Sequence, residues 1–406
     1  MTHRRGAKFL IATAAAVTVL LAGCSSGGAP AAPGGNAGAG ESYKVGVLVA
    51  LTGSYAALGV PEKQAVELYM KKLNDAGGIN GHKIELVVAD TASNEGNAVN
   101  QLRKLVTQDQ VHAVIGPSSS GEAIALRPFS KQLKTPVIAL ASAEAIVQPA
   151  DEAAYMFKEY LDTKLSLKAQ MQYAKEQGWT KVALLSTNNG YGQDAAKSFD
   201  EQVTAAGLEL VGKEVFNADA TDVTAQLSKL SSANPDVVMV WAVNPANAVV
   251  AKTATSLNFK PAIFHAPGAG SPAYITNAGA AAEGTILQGS KVLAYESMSA
   301  DDKQHAVTKA LVDAYQSAHN EAPGQYAANG WDGATILEAG LKQIELKSDV
   351  QATRDALRDA LENKTQGLVG VNAIYNFTPD YHGPTTLTGL AVLGVENGKF
   401  VVKTSY

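Results

Sequence analysis

Three stretches of this chain gather side chains that could grip a small solute. Gly116-Pro117-Ser118-Ser119-Ser120-Gly121-Glu122 follows an apolar run and precedes a predicted helix. Hydroxyls and free backbone N–H groups would converge at that helix start, which suits a carboxylate or another anion. The same serines would equally serve as caps, meeting the orphan N–H groups with no ligand involved. Leu140-Ala141-Ser142-Ala143 ends the next apolar run, and its small side chains would let a solute approach the backbone, with Ser142 also suited to capping. In the second half, Ser186-Thr187-Asn188-Asn189-Gly190-Tyr191-Gly192 sets a tyrosine between two glycines. Tyr191 could offer a ring face or a hydroxyl there, or pack on the sheet edge beneath a surface turn. Asn244-Pro245 and Ala266-Pro267-Gly268 end two further runs of that half.

Signs of catalysis are poor by comparison. The only cysteine is Cys24, and the seven histidines (His3, His82, His112, His265, His305, His319 and His382) are scattered without ligand spacing. Metal binding therefore has little support. From Glu41 onward no serine sits in a G-x-S-x-G elbow, and no G-x-G-x-x-G follows the first strand, so neither that type of hydrolase nor a nucleotide cofactor is expected. Asp90, ending the second apolar run, reads as a loop or cap residue.

The elements needed to hold these loops follow from periodicity. Val45–Ala50 is a short apolar run, and Pro61 opens a helix whose Ala65, Leu68, Tyr69 and Leu73 share one face. Asn74–Gly81 stops that helix with three glycines. Ile84–Ala89, Val111–Ile115 and Pro136–Leu140 are further strands, with a helix carrying Val99, Leu102, Leu105 and Val106 between the first two. Strands at Lys181–Ser186, Val237–Trp241 and Ile263–Ala266 repeat the pattern, with helices at Gly192–Ala205 and Ala246–Leu257. Apolar runs alternating with amphipathic helices predict parallel sheets covered on both faces. Ligands of such sheets bind beyond the carboxyl ends of the strands, where all the loops named above lie. Later helices are expected at Lys303–His319, Gly333–Leu346 and Val350–Leu361. Leu387–Thr404 reads as two strands around Glu396-Asn397-Gly398.

The N-terminus gives an address. Arg4, Arg5 and Lys8 precede Phe9–Leu21, 13 residues without a charge, and Leu21-Ala22-Gly23-Cys24 closes the block. A positive segment, a short apolar core and small residues describe a secretory signal over residues 1–23. The block resembles a bacterial lipobox, in which Cys24 would carry lipid, palmitate included. Residues 24–42 are mostly Ser, Gly, Ala, Pro and Asn, a composition with nothing to bury, and read as a flexible tether. With one cysteine no internal disulfide is possible, so stability rests on the core. The 366 residues from Glu41 to Tyr406 exceed what one core usually organises, and two domains are expected. The formal charge of −5 becomes −8 once Arg4, Arg5 and Lys8 leave with the signal, and no basic patch invites nucleic acid.

From Tyr43 to Tyr406 the chain resembles the branched-chain amino-acid binding proteins, which share the type I periplasmic binding fold and feed ABC importers. The resemblance is carried by Val45-Gly46-Val47-Leu48, Leu51-Thr52-Gly53, Asn74-Asp75-Ala76-Gly77-Gly78-Ile79-Asn80-Gly81 and Val114-Ile115-Gly116-Pro117-Ser118-Ser119-Ser120. Tyr191-Gly192, Ala282-Glu283-Gly284, Pro323-Gly324-Gln325-Tyr326 and Trp331-Asp332-Gly333-Ala334 complete it. It implies two Rossmann-like α/β lobes with parallel-sheet cores joined by a three-segment hinge: residues 43–161 and 290–370 in the first lobe, 162–289 and 371–406 in the second. It further implies a non-enzymatic receptor, lipid-anchored on the outer face of the cell membrane, that hands a small solute to an ABC permease without a cofactor. Ser120 matches the serine that meets the ligand carboxylate. Ala141 matches a backbone-carbonyl contact, Ala143 stands where a threonine often serves, and Tyr191 matches a tyrosine that closes from the other lobe. Ser118, Ser119, Ser142 and Asn244 are candidates for the same cleft from their places at strand ends.

Three positions depart from the family pattern. Pro267 replaces the acid that faces the ligand ammonium, and Leu58 and Ala328 replace aromatic walls. A branched-chain amino acid is the default expectation. An aromatic or other carboxylate without an ammonium group is the alternative, since an unpaired buried ammonium would be costly. A sensor that reports to a membrane protein other than a permease would use the same fold.

Overall fold

The computed structural model describes residues 42–406; the predicted signal, Cys24 and all but the last residue of the predicted tether lie outside the described residues. β1 (Tyr43–Val49) is buried except at Lys44, as expected of a central parallel strand. α1 (Ala56–Asp75), β2 (Ile84–Asp90), α2 (Glu95–Thr107), β3 (Ala113–Ile115), α3 (Ser120–Gln132), β4 (Val137–Ala139) and β5 (Met156–Lys158) follow. The five strands form one parallel sheet in the order β2-β1-β3-β4-β5.

The second sheet draws on α4 (Thr163–Glu176), β6 (Lys181–Thr187), α5 (Gly190–Ala206), β7 (Glu209–Phe216), α6 (Thr224–Ser232) and β8 (Val237–Trp241). It continues through α7 (Ala246–Ser256), β9 (Ala262–His265), α8 (Pro272–Ala278) and β10 (Ile286–Ser290). The chain then returns to the first lobe with α9 (His305–His319), α10 (Gln325–Leu341), α11 (Val350–Lys364) and the short pair β11 (Leu368–Val369) and β12 (Ile374–Tyr375). It ends in the hairpin β13 (Leu390–Glu396) and β14 (Lys399–Ser405), added antiparallel to β10, so the second sheet runs β14-β13-β10-β9-β8-β6-β7. Asn397 and Gly398 turn that hairpin at φ 54° and 69°, the paired positive values a two-residue turn requires.

Several expectations shift. Pro61 lies inside α1 and does not open it. The helix starts at Ala56 because Gly59 seats its first turn on the β1 end: a Cβ there would stand 2.1 Å from the Ala50 carbonyl oxygen. α10 begins at Gln325, eight positions before the expected start. Residues 325–337 are all buried, so the helix has no polar face to reveal its period. Residues 371–377, expected with the second lobe, pack in the first core through Val371, Ala373, Tyr375 and Phe377. The buried Asp332 of α10 holds them there, accepting from Val371 N (2.8 Å), Asn372 N (2.7 Å) and the Tyr375 hydroxyl (2.7 Å). Burial raises that carboxyl to about 6, although all three hydrogen bonds favour its charged form.

Candidate functional site

Each sheet has one place where strand order reverses. In the first it falls between β1 and β3, and in the second between β6 and β8. The loops leaving these strands diverge and open a crevice. The two crevices face each other across a cavity of about 730 Å3, part of it open to solvent.

The first-lobe wall is the turn from β3 into α3. Gly116 makes the turn at φ 114°, with its Cα against the Leu48 carbonyl, where a Cβ would come within 1.9 Å. Ser118 Oγ accepts from Ala50 N (3.1 Å) and donates to Glu62 Oε2 (2.5 Å). Glu62 is fully buried on α1, and burial pushes its carboxyl well above the usual range while the Ser118 bond works the other way. Ser119 is the N-cap of α3 in a complete capping box with Glu122. Ser120 Oγ accepts from Ala143 N (3.3 Å), which leaves its hydroxyl hydrogen free to donate into the cleft. Behind this wall the buried Lys158 donates to Ser142 O (2.8 Å), fixing the loop after β4, and burial depresses its ammonium to about 8.

The second-lobe wall is the turn from β6 into α5. Asn189 caps the helix by accepting from Gly192 N (3.1 Å) and reaches across the cleft to donate to the Tyr55 hydroxyl (3.1 Å). Tyr191 is buried with its ring 5.0 Å from that of Trp241, and its hydroxyl accepts from Gly268 N (3.3 Å). Burial holds the Tyr191 phenol protonated well beyond the ordinary range. The lobe backbones come together at Gly121 and Gly190, where a Cβ on Gly190 would stand 3.0 Å from the Gly121 Cα. Glu144 N donates to Asp194 Oδ2 (3.3 Å) at the same seam. At the cleft floor the Tyr326 hydroxyl donates to Gly268 O (2.8 Å). Gln325 donates to Pro267 O (3.0 Å) and accepts from the Tyr160 hydroxyl (3.1 Å).

The first four N–H groups of a helix have no partner within it, and the Ser119 and Asn189 caps each engage only one of them. The starts of α3 and α5 therefore bring two sets of donors and two positive dipole ends to one place. No Lys, Arg or His lines the cavity among the described residues. A solute there would be held by hydroxyls, amides and helix ends, with charge complemented by carboxylates only.

Of the positions singled out from the sequence, Leu58, Ser118, Ser119, Ser120, Ala141, Ser142, Tyr191 and Pro267 line this cavity. Ala143, Asn244 and Ala328 do not. Ala328 is packed in the first core, and its α10 neighbour Asn329 lines the cavity in its place. Asn244 points away to Ser271 Oγ (3.1 Å), and Val243 lines the cavity. Ala143 contributes its N–H to Ser120 from behind. Tyr55, Tyr160, Tyr326 and Glu95 also line the cavity. The Pro-Gly-Gln-Tyr run pointed to the neighbourhood of Tyr326, but nothing in the local sequence singled out the other three. Asp90 is a loop clamp, accepting from Leu51 N (2.8 Å), Ala92 N (2.7 Å) and Thr52 Oγ (2.6 Å). Among the described residues no group of three or more His, Cys, Asp or Glu could hold a metal ion, and no helix is long and apolar enough to cross a membrane.

A family profile described as "Periplasmic binding protein" matches residues 42–399. The Leu/Ile/Val-binding protein homolog 7 of Brucella abortus (strain 2308) is 24% identical over 333 residues, 80% of this chain and 82% of that protein. An extracellular ligand-binding receptor from Rhodopseudomonas palustris superposes with a TM-score of 0.82 at 28% identity, covering 89% of this chain and 99% of the receptor. The branched-chain amino acid transporter substrate-binding protein LivJ of Streptococcus pneumoniae, in complex with isoleucine, gives 0.79 at 26% identity, covering 90% and 99%. The two-lobed α/β arrangement is the type I periplasmic binding fold expected from the sequence.

Proposed function

This chain belongs to the periplasmic binding protein family, and from that premise we propose that it is the lipid-anchored solute receptor of an ABC importer, capturing a branched-chain amino acid or a related small carboxylate between its lobes. Its family makes it an extracytoplasmic ligand-binding protein, not an enzyme. The observation that carries the reading is the cavity flanked by both strand-order reversals, with the starts of α3 and α5 on opposite walls. A carboxylate entering from solvent meets Ser120 and the α3 start first. Contacts from Tyr191 and the α5 start then favour the closed arrangement, so binding shifts an open–closed equilibrium. A permease would read the closed shape. Lipid on Cys24 would keep the receptor at the membrane, and the tether would let it turn.

The relatives' names supply the default ligand: Leu/Ile/Val for the Brucella protein and isoleucine for LivJ. A second reading, an aromatic carboxylate, is favoured by the four tyrosines on the cavity wall, Tyr55, Tyr160, Tyr191 and Tyr326. A thermal-shift panel of amino acids and small carboxylates on the processed protein tests both, since a true ligand raises the melting temperature by mass action. Calorimetry with the best ligand should then show Ser120→Ala weakening binding about tenfold, the loss of one hydrogen bond to a charged group. Unchanged affinity would remove Ser120 from the site.

A further inference from the structure

The cleft holds one carboxylate that the fold does not use. Glu122 is engaged by Ser119 through both its N–H (3.1 Å) and its hydroxyl (2.8 Å). Glu95, in the first turn of α2, lines the same cavity, is exposed, and has no hydrogen-bond or ion-pair partner among the described residues. Its side chain leans over the start of α3: Oε1 lies 2.3 Å from the point a Cβ on Gly121 would occupy, so the glycine makes room for the carboxylate. Gly121 directly follows Ser120, whose free hydroxyl hydrogen is the first-lobe donor for a ligand carboxylate.

We propose that Glu95 is the ammonium partner of the ligand and selects α-amino acids over carboxylates that lack the amino group. The inference rests on the receptor reading above and sharpens it to one ligand class. In an α-amino acid the ammonium and carboxylate share one carbon. A carboxylate at Ser120 and the α3 start therefore places the ammonium within reach of Glu95. A carboxylate without an ammonium, seated in the same place, would lie beside the Glu95 charge with no cation on the cavity wall to offset it. The acid absent at Pro267 on the second lobe is in this way supplied from the first. The charge reaches the ligand before closure, not with it.

The test compares each of a set of α-amino acids with its deaminated counterpart, for example L-isoleucine against 3-methylpentanoate, by calorimetry on the full processed chain and on Glu95→Gln. Wild type should bind the amino acid at least about tenfold tighter than its counterpart. Glu95→Gln should bring the pair to within about threefold by losing amino-acid affinity, with little change in melting temperature. An acid that merely favours the α2 start would alter the melting temperature slightly and leave the ratio intact. An unchanged ratio in Glu95→Gln, or a wild-type preference for the deaminated partners, overturns the inference and leaves the receptor reading standing. A wild-type chain that binds neither member of any pair contradicts the receptor reading and this inference together.

Discussion

The start of α3 on the first lobe and the start of α5 on the second are both helix N-termini at a strand-order reversal, yet their side chains are committed differently. On the first lobe every serine of the turn is already engaged from within that lobe: Ser118 by Ala50 and Glu62, Ser119 by Glu122, Ser120 by Ala143. On the second lobe Asn189 reaches over to Tyr55, and Gly190 is bare so that it can meet Gly121. One wall is therefore preorganised in either arrangement of the lobes. The other is completed by the meeting itself. A solute would lose little by docking on the first wall alone and gain its residence from the second, which is the order of events a capture-and-close receptor needs.

The largest expected effect comes from breaking the meeting point. Gly190→Val puts a branched side chain where even a Cβ would stand 3.0 Å from the Gly121 backbone. The interlobe bonds of Asn189, Asp194 and Tyr326, about 1 kcal/mol each, would be lost together, lowering solute affinity about a hundredfold. Calorimetry checks this, with circular dichroism expected to show an unchanged fold and Gly190→Ala an intermediate loss. A smaller effect sharpens the contrast between the walls. Ser119→Ala and Asn189→Ala each remove a helix cap and should lower stability in urea by about 1 kcal/mol. Only Asn189→Ala should also weaken binding, because only Asn189 crosses the cleft.

The smallest effect is a pH dependence seated in the second lobe. His265 is buried, with Nδ1 beside Asn247 Oδ1 (3.1 Å) and Nε2 beside the Tyr274 hydroxyl (3.0 Å), and burial pushes its imidazole down to about 3. The unfolded chain binds this proton near 6.5 and the folded chain does not, so its contribution is full above 6.5 and is lost as pH falls from there toward 3. At pH 6 the loss should be below about 1 kcal/mol. Urea unfolding at pH 7.5 and pH 6 should show a smaller difference in His265→Gln than in wild type. An equal difference would place the acid sensitivity elsewhere.

The same contrast explains what the sequence made legible. β1, β6 and β8 are buried on both sides and appear as continuous apolar runs, and the loops after them could be located from that alone. β7 is an edge strand whose Lys213 and Glu214 interrupt any run, and β5 hides a fully buried lysine in three residues. α10 was misplaced because its Asn329, Gly330 and Asp332 look foreign to a core. Gly330 in fact admits the α1 backbone, where a Cβ would come within 2.2 Å of the Glu62 carbonyl oxygen, and Asp332 anchors residues 371–377. Ala328 matches an aromatic wall position of the family, but α10 turns it into the first core and leaves the wall to Gln325, Tyr326 and Asn329. Glu95 was invisible for a different reason. Its role depends on which way a helix start faces across a cavity, and that is set by tertiary packing.

Small-angle scattering of the processed protein, alone and saturated with the solute that most raises its melting temperature, tests capture by closure most directly. The radius of gyration should fall on saturation in wild type and stay at its solute-free value in Gly190→Val at any concentration of that solute. A wild-type chain that binds the solute with no change in radius, or a Gly190→Val chain that contracts as fully, would contradict the account.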